Sequence, residues 1–171
     1  VILYMTDQYE KNPAITIITH RNYDRIDNVS VFLIASPIIK KWHPQLTIGL
    51  QKQWMDIEHN SRMLSMDRPL FIGRFNNGIQ FPYGWTLHVD LFFQGKGDFQ
   101  NIYINKNVFM MDASLTKSFF DDRLSFNLQG IDLTHGRKDG NVIYNKHMDL
   151  TVNNVTDSRE VRLTVRYKFN T

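Results

Sequence analysis

Five stretches of this chain alternate apolar and polar side chains residue by residue, for longer than an ordinary soluble strand lasts. Residues 45–54 (QLTIGLQKQW) set Leu46, Ile48, Leu50 and Trp54 against Gln45, Thr47, Gln51 and Gln53. Residues 85–94 (WTLHVDLFFQ) set Trp85, Leu87, Val89, Leu91 and Phe93 against Thr86, His88, Asp90 and Gln94. Residues 109–119 set Phe109, Met111, Ala113 and Leu115 against Asp112, Ser114, Thr116 and Ser118. Residues 123–129 set Leu124, Phe126 and Leu128 against Ser125, Asn127 and Gln129. The last, 161–169, sets Val161, Leu163, Val165, Tyr167 and Phe169 against Arg162, Thr164, Arg166 and Lys168. Period two marks a strand whose two faces meet different surroundings. A soluble sandwich would bury the apolar faces. A membrane barrel would turn them to lipid and aim the cations into a wet lumen.

Segment length and loop length bear on that choice. About eight strands are expected, near 1–9, 26–37, 44–55, 69–81, 84–96, 107–119, 122–133 and 158–170. Residues 28–37 alternate less cleanly, because Phe32 and Ile34 interrupt the polar face. Residues 14–20 (AITIITH) read either as a further short strand or as a folded-back part of a long loop. Most segments run roughly 10–14 residues, against about 5–6 for globular strands and about 9–11 for a tilted membrane-spanning one. Short connections at 37–44, 81–85 and 118–124 alternate strictly with long polar ones at 56–68, 95–106 and 134–157. Short turns at one end and long loops at the other characterise an antiparallel up-and-down barrel of the outer-membrane type. Helix signals are nearly absent, so an all-β chain is expected.

Composition narrows the function classes. The 171 residues can build a real core, and without cysteine there is no disulfide scaffold and no thiolate metal site. The formal net charge is +3, with no basic block, so no nucleic-acid partner is expected. Mean hydropathy is −0.36. That value suits a membrane barrel as well as a soluble protein, since lipid-facing and lumen-facing residues cancel in the average. The chain starts at Val1 and reads as a processed chain or a piece of a longer one, with 1–171 as one barrel domain and no plug domain in view.

Aromatics add a second line of argument. Trp42, Phe81, Tyr83, Trp85, Phe119, Phe120, Tyr167 and Phe169 all fall at or beside the short-turn end. Trp and Tyr gather where an apolar slab meets water, because ring and polar tip prefer different solvents. An aromatic girdle of Trp42, Tyr83, Trp85, Phe119, Tyr167 and Phe169 is therefore expected.

The segments 81–95 (FPYGWTLHVDLFFQG), 114–133 (SLTKSFFDDRLSFNLQGIDL) and 157–170 (DSREVRLTVRYKFN) carry a resemblance. They resemble the C-terminal barrel portion of the TonB-dependent-receptor-like outer-membrane β-barrel family of Bacteroidetes-type bacteria. That family repeats an "lp-x-GW" turn, an "sl-x-K-x-f-f-ndrl" hairpin and a closing "DSR-x-v-x-l-x-v-x-Y-x-F" strand. The likeness runs from Asp24 onward and is most specific in the last third. Asn170 and Thr171, after the closing aromatic Phe169, depart from the pattern.

The resemblance implies a transmembrane barrel in the bacterial outer membrane, of which this chain is the C-terminal part. It further implies nutrient uptake of the siderophore or glycan class. Partners so implied are outer-membrane lipid and, through the full-length protein, the TonB system and the barrel-assembly machinery, which reads a terminal strand ending in an aromatic. On this reading the lipid-facing residues are Leu46, Ile48, Leu50, Leu87, Val89, Leu91, Met111, Ala113, Leu115, Leu124, Phe126, Leu128, Val161, Leu163 and Val165. His88, Asp90, Asp112, Arg162 and Arg166 are lumen candidates, and Lys168 joins them.

No catalytic, metal or cofactor site is expected. The six histidines show no HxxxH or HExxH spacing. Residues 95–98 (GKGD) lack the helix of a phosphate loop. Asp121 and Asp122 read as turn formers. Residues 134–141 (THGRKDGN) read as an exposed loop tip whose deletion over 137–141 leaves folding intact. Three functions remain open: a transporter barrel, a structural barrel serving as anchor, adhesin or platform, and a soluble β-barrel holding a small apolar ligand. The first and last strands, 1–9 and 158–169, are expected to pair with each other or with another copy, since open edges leave backbone groups unsatisfied.

Overall fold

A computed structural model describes residues 2–9, 12–23 and 25–169. Strands make up most of the described residues. A single 3-10 turn, Pro82–Gly84, is the nearest approach to a helix among the described residues, so the chain is all-β and antiparallel, as the alternation implies.

Seven long strands form one sheet: β3 (Asp27–Ala35), β4 (Trp42–Trp54), β7 (Leu70–Phe81), β8 (Trp85–Gln94), β11 (Val108–Phe119), β12 (Leu124–Ile131) and β15 (Glu160–Tyr167). Their order across the sheet is their order in the chain, a pure meander. Short connections join β3 to β4, β7 to β8 and β11 to β12 at one end. At the other end the long connections rise into small hairpins: β5 (Asp56–His59) with β6 (Arg62–Ser65), β9 (Gly97–Phe99) with β10 (Ile102–Ile104), and β13 (Lys138–Tyr144) with β14 (Asp149–Val155). Strand β10 also pairs with β13, giving a four-stranded cap sheet in the order β14-β13-β10-β9.

Three sequence expectations need correction. Residues 1–9 do not join the wall. β1 (Ile2–Tyr9) pairs with β2 (Asn12–Asn22) as a separate hairpin, so the wall has seven strands rather than about eight, and residues 14–20 are strand. A local hairpin closes a very short loop, whereas pairing β1 with β15 would close most of the chain. Both outer edges, β3 and β15, are therefore unpaired among the described residues. Second, residues 137–141 are not a loop tip. Lys138–Asn141 pair with Asn153–Val155 and Val152 of β14, and Gly140 is buried. Deleting 137–141 removes most of a cap strand. Third, the long connections are not merely polar loops; the alternation in them is too short to stand out. The departure at Asn170 and Thr171 lies outside the described residues, as does Val1.

The register sorts the wall cleanly into two faces. Leu46 lies opposite Phe75, Phe75 opposite Leu91, Leu91 opposite Met111; Leu115 lies opposite Leu128, and Leu128 opposite Leu163. Directly paired residues share a face. By this chain of pairs all fifteen residues of the apolar set lie on one face, and none of them is buried. The buried apolar side chains sit elsewhere, at the long-connection end. Leu3, Met55, Ile57 and Met66 form the core there, with Tyr23, Ile26, Leu64, Tyr103 and Tyr144 packed around it. A soluble sandwich would have drawn the apolar set of the wall into such a core.

The short turns demand unusual backbone. Tyr83 and Gly84 have φ of 63° and 74°. A Cβ on Gly84 would approach the carbonyl oxygen of Ser118 to 2.7 Å, so only glycine fits. Phe120, Asp121 and Asp122 are consecutively left-handed, with φ of 54°, 51° and 63°, and the Arg123 N–H donates back to the Phe120 carbonyl at 3.1 Å.

Candidate functional site

The polar face of the wall carries three connected hollows. The first, of about 550 Å³, lies where cap meets wall, with Val108 and Met110 from the wall, Phe99, Ile102 and Ile104 from the cap, and Arg137 above. The second, of about 450 Å³, is lined by Arg74, Asn76, Asp90, Asp112 and again Met110 and Arg137. The third, of about 200 Å³, runs on from Asn76 and Asp90 to His88, Thr86 and His43 near the short turns. Shared lining residues make the hollows one groove running from the cap toward the short-turn end.

Of the lumen candidates, His88 and Asp90 line this groove and Asp112 joins them. Asp90 and Asp112 sit directly opposite each other on neighbouring strands. Like charges so placed repel; Arg74 lines the same hollow and offsets them, while Arg137 stands at its boundary with the first hollow. The guanidinium of Arg74 also lies 5.8 Å from the ring centre of Phe92. Arg162 and Arg166 share the polar face, opposite Gln129 and Ser125, but lie on edge strand β15. Arg162 is held there by Glu160, with nitrogen–oxygen distances of 2.9 and 3.1 Å. The structure thus brings His88, Asp90 and Asp112 together and leaves the two arginines apart.

Two groove residues escape a sequence reading. Arg74 was legible in principle: Phe71, Phe75 and Ile79 define one face of β7, which puts Arg74 on the other. Two glycines, Gly73 and Gly78, blur that pattern. Arg137 had no local signal. It reaches the groove because residues 132–137 fold back on β11.

That fold-back is held by a buried carboxylate. The Asp132 N–H donates to Asp112 Oδ1 at 2.7 Å. The Asp132 carboxylate accepts the Gly136 N–H at 2.7 Å, the Arg137 N–H at 3.4 Å and the Ser158 hydroxyl. Burial by itself would raise its pKa. The donors from Ser158, Gly136 and Arg137, with the charge of His135, outweigh this and hold Asp132 below the ordinary carboxylate range. The Thr134 hydroxyl donates to the Phe109 carbonyl at 2.8 Å, and Gly136 lies so close to that carbonyl that a Cβ would overlap it. Asp112 therefore positions Arg137 through Asp132.

The cap is fixed above the groove by polar groups of the same kind. Asp98 is fully buried. It accepts the Arg68 backbone N–H at 2.9 Å and the Arg68 guanidinium at 3.0 Å, while that guanidinium lies 3.7 Å from the centre of the Tyr103 ring. Gln53, at the top of β4, donates to the carbonyls of Met66 and Gln100 and accepts the Gln100 N–H at 2.7 Å. Among the described residues no three His, Cys, Asp or Glu come together as a metal site.

On the opposite face the expected aromatics occupy one end. Phe81 pairs with Trp85, Trp85 with Lys117, Phe119 with Leu124 and Leu124 with Tyr167. Phe169 stacks edge-on against Tyr167 at 4.8 Å, and Tyr83 stands in its turn, 89% exposed. Lys117 lies between Trp85 and Phe119, 5.3 and 4.9 Å from their rings, and its ammonium donates to the Tyr83 carbonyl. A second aromatic level, not foreseen, stands at the other end of the same face: Trp54, Phe71, Phe93 and Phe109. Along β8 the levels at Trp85 and Phe93 are eight residues apart, or ~26 Å along the strand and ~20 Å after a tilt of about 40°.

A family model described as an outer membrane protein beta-barrel family matches residues 2–167. No curated protein and no solved structure matches the chain.

Proposed function

The chain belongs to this outer membrane protein beta-barrel family and lies in the outer membrane, and from that premise we propose that it is wall and cap of a TonB-dependent-receptor-like transporter. Its cargo is a nutrient of the siderophore or glycan class, and the source is a Bacteroidetes-type bacterium. The observation that carries this reading is the groove, continuous along the polar face from cap to short turns. A purely structural barrel has no need of a continuous hollow with facing charges.

The apolar face is the lipid face, and its two aromatic levels mark the membrane boundaries. Their ~20 Å separation suits an apolar band of about 25 Å. Lys117 reaches from the lower level to a backbone carbonyl, as a lysine at such a boundary does. The polar face is the lumen. The open edges β3 and β15 are completed by further strands, because unpaired backbone in hydrocarbon costs several kcal/mol per group. The TonB system acts through the full-length protein. The assembly machinery reads the closing strand, with Phe169 as its terminal aromatic. The protein works by binding and passage rather than by catalysis.

Adjacent residues test the assignment of faces. Ala113→Cys and Ser114→Cys point to opposite faces. In intact membranes a charged, membrane-impermeant maleimide should label Cys at 114 and spare Cys at 113; the reverse pattern would sink the lumen assignment. The transport reading is tested separately by solute uptake with and without a functional TonB system, where equal uptake would remove TonB coupling.

A further inference from the structure

We propose that the upper hollow binds an amphipathic organic anion: a compact apolar body lodged on Phe99, Ile102, Ile104, Val108 and Met110, with its acidic group on Arg137 and Lys138. The inference rests on the lumen reading above and narrows the cargo class within it.

Five apolar side chains meet at the junction of β9, β10 and β11, and Phe99 remains 43% exposed. Most of this surface is aliphatic rather than aromatic. A sugar ring needs a flat aromatic platform and a fringe of hydrogen-bonding groups, whereas branched aliphatic walls suit a hydrocarbon or ring system that sheds water on entry. Leaving such a surface wet in a lumen costs free energy that a ligand of matching character recovers.

Charge supplies the second part. Arg137 and Lys138 rim the hollow, and among the described residues neither forms an ion pair. Arg74, one hollow further down, is likewise free of an ion pair there. The one carboxylate on the rim, Asp139, already accepts the Asn154 amide at 3.2 Å. The backbone of Arg137 is held beside the hollow, since its N–H joins the Asp132 staple and its carbonyl accepts the Thr156 N–H at 3.3 Å. A cation borne on an anchored backbone above an apolar floor selects a carboxylate or phosphate attached to an apolar body. In the next hollow Asp90 and Asp112 stand beside Arg74, so discrimination between anion and neutral analogue belongs to the upper hollow, where Lys138 joins Arg137.

The test uses the full-length protein in lipid nanodiscs, with 2-naphthoate as probe and 2-naphthamide as its neutral analogue, measured by calorimetry. Naphthoate should bind at least about tenfold more tightly than naphthamide, a charge-assisted pair being roughly twice as strong as a neutral one. The double variant Arg137→Gln/Lys138→Gln should bring the two affinities together while keeping the amide's unchanged. Ile102→Ser and Ile104→Ser should weaken both ligands alike. Equal affinities in the parent protein, or discrimination surviving in the double variant, would overturn the assignment. So would absence of naphthoate binding in a protein whose heat-modifiable gel shift shows it folded. Maleimide labelling of Ser114→Cys in the same nanodiscs separates the two failures. Labelling without naphthoate binding rejects the ligand class and keeps the lumen; no labelling rejects the lumen itself.

Discussion

Wall and cap are built on opposite principles. The wall is long, regular and nearly without buried side chains; every described residue of β3 and of β15 is exposed. The cap is short, irregular and tightly packed, with Met66 at 0% exposure and Asp98, Asn101 and Asp132 buried as well. On the lipid-facing assignment proposed above, the wall leaves its apolar set for lipid to cover, so its stability depends on its surroundings. The cap, reaching into water, must bury its own core and satisfy its own polar groups. The upper hollow of the groove lies where the two meet, with a floor from the wall and a roof from the cap.

The largest single effects should separate the two regions. Met66→Ala opens a cavity in the cap core and should destabilise it by about 2–5 kcal/mol. Amide exchange should then rise in β5, β6 and β10 while the wall keeps its heat-modifiable gel shift; loss of that shift would mean that wall and cap unfold as one. Val89→Arg should do the converse, costing ~2–4 kcal/mol in lipid if Val89 lies near the midplane. Ser114→Arg, nearly level with it on the polar face, should cost under about 0.5 kcal/mol. Equal penalties for the two would erase the distinction between the faces.

An intermediate effect concerns pH. Asp132 lies outside the membrane-spanning strands, and its pKa is lowered on folding. The unfolded chain therefore takes up the proton first. The stabilisation is fully present above the unfolded carboxylate value of about 3.9 and is lost as pH falls through the lower folded value. Asp132→Asn should weaken the fold-back of 132–137 by about 1.5–3 kcal/mol at pH 7, with the difference from the parent shrinking below pH 4. Amide exchange at Gly136 and Arg137 measures it. A difference that stays constant into strong acid would show that the charge of Asp132 is not what holds the staple.

The same contrast explains what could be read from the sequence. Wall strands announce themselves, because each residue's environment follows from its parity alone: Leu87, Val89 and Leu91 need no tertiary context to be placed together. The groove residues His88, Asp90 and Asp112 follow from the same parity. The cap has no such rule. Met55, Ile57 and Met66 come from one connection, between β4 and β7, and look like scattered apolar residues in a polar loop. Arg137 reaches the groove only through Asp132, whose partners Asp112 and Ser158 lie 20 and 26 residues away. The β1–β2 hairpin misleads for the opposite reason: it is a strand pair, but it belongs to the cap side, where Leu3 packs on Met55 and Ile57.

The smallest expected effect lies at the far end of the wall, in the turn Phe120–Asp122. Three consecutive left-handed residues without glycine are unusual, since a side chain in that conformation crowds the following carbonyl. Asp tolerates the region better than most residues, because its short carboxylate can hydrogen-bond local backbone N–H groups. Glycine would remove the crowding at Asp122, φ 63°, but would add freedom to the unfolded chain. The two terms nearly cancel, leaving Asp122→Gly stabilising by no more than about 1 kcal/mol. Phe120→Gly gains the same backbone relief and yet gives up a ring that is 71% exposed at the aromatic level and stands 6.4 Å from Phe119. In detergent, where no fixed boundary exists, the two substitutions should behave alike. In a bilayer Phe120→Gly should fall below Asp122→Gly, because only there does an interfacial aromatic have a level to hold. Denaturant titration of both variants in both media provides the measurement. The same ranking in detergent and bilayer would mean that the ring at 120 fills space and does not anchor the wall.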